Sequence, residues 1–244
     1  MKFLPFANRN LKEIIRDPLS IFFGVGFPVI IMILLTQLQK NIKGMPEDIF
    51  SIQAFAPGIT VFGLGFLSLF LGILMATDRE SYFLQRLFSS PLKSQHYIIG
   101  YLIPLIPIGI LQASVCFAVA IGLGLSLDVN IIFAIISMIP VILLFTSFGM
   151  LFGVLLNQKQ VGGAGSILVN AVAWLSGVWF SLDMVGGTYK VICEILPFYH
   201  AVQIIKKALA GEIIYSLLNF FVVIAYAIII YVISAIIFHK KMQN

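Results

Sequence analysis

Residues 78–95 read Asp78-Arg79-Glu80-Ser81-Tyr82-Phe83-Leu84-Gln85-Arg86-Leu87-Phe88-Ser89-Ser90-Pro91-Leu92-Lys93-Ser94-Gln95. This is the longest charged segment between two strongly apolar runs. The flanking runs suit lipid, and this segment suits water and protein. Phe83, Leu84, Leu87 and Phe88 fall at i, i+1, i+4 and i+5, so a helix over the first half puts them on one face. Asp78, Arg79, Gln85 and Arg86 lie mostly elsewhere on the wheel. Pro91 cannot continue the helix and biases Ser90 away from helical geometry. An amphipathic helix held between two membrane spans can dock into a groove on a soluble partner. A polar loop with a frayed helix fits the same pattern.

Working outward, the chain has 244 residues, 60% of them hydrophobic and 10% charged, with a mean hydropathy of +1.06. A soluble domain carries about a quarter charged residues, so the composition is that of an integral membrane protein with several spans in one domain. The net charge of +5 would suggest nucleic acid in a soluble protein; here its distribution sets topology, and no nucleic-acid partner is expected. Cys116 and Cys193 lie far apart, without metal or redox spacing. No cleavable signal peptide is read in Met1 to Arg16.

Residues 1–17 are expected to form an amphipathic interfacial helix. Arg9, Lys12, Glu13 and Arg16 share one face, and Leu4, Ala7, Leu11, Ile14 and Ile15 the other. Its cations favour an anionic cytoplasmic leaflet by roughly 1 kcal/mol each. Asp17-Pro18 opens a new helix, with Asp as cap and Pro at the first position. Six spans are expected near Leu19–Leu38, Phe55–Thr77, Tyr97–Leu125, Ile131–Leu156, Val161–Leu182 and Ser216–Phe238, each near the roughly 20 residues that cross the hydrocarbon. Pro104 and Pro107 predict a kink or tilt in the third. Ten loop cations fall on the side of both termini and of residues 78–95, and five on the other. Both termini are therefore expected in the cytoplasm. Residues 183–215 read as an external helical hairpin, semi-apolar to Leu196, then helical from Phe198 to Ala210 with Gly211 as C-cap.

Catalytic signatures are missing. No G-x-x-x-x-G-K-[ST] run occurs, and Gly162-Gly163-Ala164-Gly165-Ser166 has no Lys after it, so it reads as helix packing. Gly149 and Gly153 give a second helix-contact signal. His96, His200 and His239 are scattered, and no G-x-S-x-G elbow exists. No enzyme activity, cofactor or metal is expected. No ionisable side chain lies deep in a span, which argues against ion-coupled transport. Gln112 and Asn170 read as interhelical hydrogen-bonding residues.

Asp78-Arg79-Glu80 leaving a span, the apolar-studded helix and the closing Ser90-Pro91-Leu92 together resemble the cytoplasmic coupling segment of ABC transporter type-2 permeases. Ser81-Tyr82 stands where that family usually carries Gly-Thr. The Arg16-Asp17-Pro18 lead-in and the run Leu196-Pro197-Phe198-Tyr199-His200-Ala201 resemble the same family. The resemblance implies an all-α membrane protein, a permease subunit in the plasma membrane, working as a dimer with a second copy or a sister permease above two separate ATPase subunits. It implies that Asp78, Arg79, Glu80, Phe83, Leu84, Arg86, Leu87 and Phe88 couple to the ATPase. It also implies re-entrant external helices and export of a drug, an antibiotic or a lipid-like amphiphile, hence multidrug or antibiotic resistance. A glycan exporter and a non-transporting scaffold are the alternatives. The residues that contact cargo are not read from the sequence.

Overall fold

The computed structural model describes residues 3–42, 51–84, 94–180 and 182–243. Arg86, Leu87 and Phe88, with the rest of 85–93, lie outside them. Every regular element among the described residues is helical. In order they are α1 (Leu4–Arg16), α2 (Pro18–Asn41, with a π-helical turn at Phe22–Gly26), α3 (Ile52–Glu80), α4 (Ser94–Leu102), α5 (Leu105–Leu123), α6 (Asn130–Leu155), α7 (Gln158–Leu175), α8 (Leu182–Val185), α9 (Gly187–Ile195), α10 (Pro197–Leu209), a 3-10 turn at Ile213–Ser216, and α11 (Leu217–Gln243).

Among the described residues five helical runs are long and apolar enough to cross a membrane: Pro18–Asn41, Ile52–Glu80, Gln95–Leu123, Asn130–Leu155 and Ile213–Lys241. The third passes through α4 and α5, which part at Ile103-Pro104. The expected fifth span is the shorter α7. It has 18 residues, spanning about 27 Å against about 30 Å of hydrocarbon. Its first turn is the polar Gln158-Lys159-Gln160, and it stops at Leu175 because Ser176-Gly177 turn the chain, with Gly177 at φ +72°.

α3 is the centre of the bundle, and α2, α5, α6, α7 and α10 all pack on it. Small residues let α6 approach it. A Cβ on Gly149 would lie 2.5 Å from the Ser68 carbonyl oxygen, and one on Gly153 would lie 2.7 Å from Met75 Cβ. The glycine pair is thus a backbone contact. Gln112 on α5 is fully buried and donates from Nε2 to the Thr60 carbonyl of α3 at 3.1 Å, the interhelical bond expected of it. Asn170 makes none among the described residues. Its Nδ2 donates to the Ser166 carbonyl of its own helix at 2.8 Å, and its side chain is exposed.

The α1 face that meets the protein is rotated from the expected one. Phe6, Ala7, Asn10 and Ile14 are buried, while Leu4 and Ile15 are exposed. A polar cluster around Asn10 draws the helix round, as described below. Asp17 ends α1 and caps α2 as anticipated, accepting from the Ser20 N–H at 3.1 Å and the Leu19 N–H at 3.3 Å. The 182–216 region is a series of short helices. Pro197 opens α10, and Gly211 follows it at φ +77°. Phe198 packs inward, its ring centroid 5.9 Å from Phe148 and 6.4 Å from Phe145 of α6. The region's outward apolar side chains include Met184, Val185, Val191, Ile192, Ile195, Ile214 and Tyr215. His200 is held between the Asn219 Oδ1 and the Glu194 carbonyl, both at 2.7 Å.

Candidate coupling site at the end of helix α3

Asp78, Arg79 and Glu80 form the last turn of α3, not the start of a separate helix. The helix ends there because Tyr82 takes φ +57°, a left-handed conformation that a continuing helix excludes. Successive residues on an α-helix point about 100° apart. Three consecutive charged residues therefore face three directions, and each meets a different element.

Asp78 faces α1 and α4 and is 2% exposed. Its carboxylate accepts from Arg9 twice, Nη1 to Oδ2 at 2.5 Å and Nη2 to Oδ1 at 2.8 Å, and from the Tyr101 hydroxyl at 2.7 Å. Paired N–H groups of this kind make a directional, charge-assisted fork. Asn10, fully buried, accepts from Arg9 at 2.9 Å and donates to the Gly100 carbonyl at 3.1 Å. Arg9 also reaches Glu13 at 2.6 Å and sits 4.6 Å above the Phe83 ring centroid. Partial burial acts to lower the Arg9 pKa, but the hydrogen bonds and charge of Asp78, together with the charge of Glu13, outweigh it and hold the guanidinium above its ordinary value. Phe6 completes the contact with edge-on rings of Tyr97 and Tyr101, centroids 5.7 and 4.9 Å away.

Arg79 faces the C-terminal end of α6 and donates to the Val154 and Leu156 carbonyls. The last carbonyls of a helix lack intrahelical partners and carry partial negative charge, so a cation is favourable there. Lys241, near the end of α11, donates to the same Val154 carbonyl at 2.7 Å. Glu80 faces the other side of the α6–α7 corner. Its Oε1 accepts from the Gln158 N–H at 2.9 Å. Asn157 and Gln160 form a capping box at the start of α7, with bonds of 2.9 and 3.1 Å. Glu80 thus satisfies an N–H that the box leaves open and adds negative charge at a helix N-terminus.

Of the expected coupling residues, the structure brings Asp78, Arg79, Glu80, Phe83 and Leu84 together. Phe83 lies half-buried beneath Arg9, and Leu84 is 2% exposed. Both therefore pack against this chain. Arg86, Leu87 and Phe88 lie outside the described residues. Sequence reasoning missed Asn10, Tyr101, Gln158 and Lys241 as parts of the site. A signal existed for Asn10, a polar residue beside the apolar stripe of α1; none existed for Tyr101. Among the described residues no three His, Cys, Asp or Glu side chains gather to hold a metal ion.

No curated protein matches the sequence. The family comparison is positive. Residues 2–210 match the model of the ABC-2 type transporter, a stretch that takes in α1 through α10 and with them the contacts of Asp78, Arg79 and Glu80 on α1, α6 and α7, and the chain belongs to that family as a membrane-spanning permease component.

Proposed function

We propose that this chain is the permease subunit of an ATP-driven exporter, and that the end of α3 carries motion from an ATPase into the membrane. Membership of the family implies ABC ATPase partners. The observation that supports coupling at this place is the three-way grip of Asp78, Arg79 and Glu80 on α1, the end of α6 and the start of α7. A displacement of the segment that follows Glu80 would reach three elements at once. Coupling needs such a rigid element with two positions.

In this reading α7 also spans, as the fifth of six, both termini and residues 78–95 are cytoplasmic, and residues 183–215 dip into the outer leaflet. The outward side chains of Met184, Val191 and Ile195 suit that depth. Two permeases pair above two ATPase subunits in the plasma membrane. Exposed Asn170 and Ser166 lie on one side of α7, where lipid would leave polar groups poorly solvated, so a second permease is the fitting neighbour. The cargo is a drug, an antibiotic or a lipid-like amphiphile; the predominantly apolar spans suit such a molecule better than a glycan.

The test co-expresses the chain with its ATPase and compares wild type with Glu80→Ala and with the double variant Leu87→Ala, Phe88→Ala. Glu80→Ala should leave the complex assembled in a pull-down yet uncouple ATP hydrolysis from cargo resistance. The double variant should weaken assembly, since truncating an interface anchor commonly costs about 2 kcal/mol or more. Wild-type assembly, hydrolysis and export in both would refute the coupling role.

A further inference from the structure

Two cations from different helices converge on one helix end. Arg79 of α3 and Lys241 of α11 both donate to the Val154 carbonyl of α6. They line a cavity of about 200 Å³ whose other walls include Met75, Leu84, Gly153 and Phe238. A helix C-terminus offers roughly half an elementary negative charge, against two full positive charges here. The carboxylates on either side of Arg79 in sequence are engaged elsewhere, Asp78 with Arg9 and Tyr101 and Glu80 with the Gln158 N–H. No carboxylate side chain lines the cavity among the described residues. Among the described residues, capping of α6 therefore leaves the cavity with unneutralised positive charge. Donors remain as well. Among the described residues Arg79 uses two of its five N–H bonds, on the Val154 and Leu156 carbonyls, and Lys241 uses one of three, on Val154.

We infer that this cavity binds a phosphate-bearing anion, either the headgroup of an anionic phospholipid or a soluble phosphate of the same chemistry. Basic pockets between membrane helices near the cytoplasmic surface take anionic headgroups in this way. Only the choice of leaflet rests on the orientation proposed above. A bound phosphate would clamp the end of α3 to α6 and α11, so lipid composition would set how firmly the coupling junction is held.

The test reconstitutes the full chain in nanodiscs of phosphatidylcholine, with or without phosphatidylglycerol, and counts retained lipid by native mass spectrometry. Both leaflets are identical there, so the result is independent of orientation. Phosphatidylglycerol should be retained over phosphatidylcholine. Lys241→Gln should cut that retention about ten-fold or more, the loss of a charge-assisted hydrogen bond. Lys241→Arg should keep it, which separates site loss from misfolding. Lys240→Gln, outside the cavity, should cost no more than the roughly five-fold effect of one surface cation. A third arm adds inorganic phosphate. Displacement of phosphatidylglycerol by phosphate would assign the site to the phosphate group itself, and persistence would assign it to the lipid. Equal retention of the two lipids, or equal losses for Lys240→Gln and Lys241→Gln, would overturn the inference.

Discussion

Removing the Asp78 carboxylate should release α1. In Asp78→Ala, Arg9 loses both oxygens of its fork and the Tyr101 hydroxyl loses its acceptor. Breaking one side of a buried ion pair costs about 3–5 kcal/mol. Here the Arg9 side chain is 33% exposed and keeps Glu13 at 2.6 Å, so the lower value of about 2 kcal/mol against α1 docking is appropriate. That corresponds to roughly a thirty-fold larger undocked population. Ala7 is 5% exposed in the docked helix and makes a reporter. With Cys116 and Cys193 replaced by Ala, Ala7→Cys should be labelled by a maleimide about thirty-fold faster when Asp78→Ala is added. Glu13→Ala breaks only a partly exposed pair, worth about 0–1 kcal/mol, and is the control. Labelling in Asp78→Ala no faster than in Glu13→Ala would refute the claim that this carboxylate holds α1 in place.

Other outcomes follow from the same contacts. Gly149→Ala would place a methyl 2.5 Å from the Ser68 carbonyl oxygen and should cost about 1–3 kcal/mol by overpacking. Size-exclusion of the purified protein should record a lower monodisperse yield for it, and no change for Gly162→Ala, where nothing lies within 4 Å. In the background without native cysteines, Ser166→Cys should crosslink two copies of the chain if α7 faces a second permease, because a two-fold interface brings a residue near the axis close to its own copy; its failure at every tested position of that face would move the interface elsewhere. Reporter fusions after residues 44, 128 and 187 should read as external, and fusions at 90, 159 and 244 as cytoplasmic, on the strength of the loop-cation excess.

Apolar periodicity and length carried most of the architecture, because a helix in lipid must satisfy its own backbone and so announces itself as a long apolar run. The Asp17-Pro18 cap was legible for a similar reason, since its chemistry is local. The boundary at Glu80 was not. Charge suggested that α3 stops at Thr77, but each of the three charged residues finds a partner on another helix, and those partners let the helix run on. Arg9 was visible as a charged residue on α1, yet nothing within residues 1–17 says that it turns toward Asp78. That pairing spans 69 positions and depends on where α3 and α4 bring their ends. Phe83 and Leu84 had the pattern of anchors for a partner, and pattern alone cannot tell an outside groove from the chain's own interior. The shortfall of α7 was legible in Gln158-Lys159-Gln160 at one end, and hidden at the other by the Ser176-Gly177 turn.

The close contact of α6 with α3 near Gly72 has a mechanical consequence. Along the axis, Gly72 lies about 12 Å from Glu80 and about 22 Å from Pro57, at 1.5 Å per residue. Backbone against backbone at Gly149 and Gly153 leaves little slack, so α3 is better able to rock there than to slide. The contact is then a fulcrum, with unequal arms. A push at the Glu80 end would be nearly doubled by the time it reaches Pro57. A small stroke at one surface of the bilayer would thereby become a wider opening towards the other.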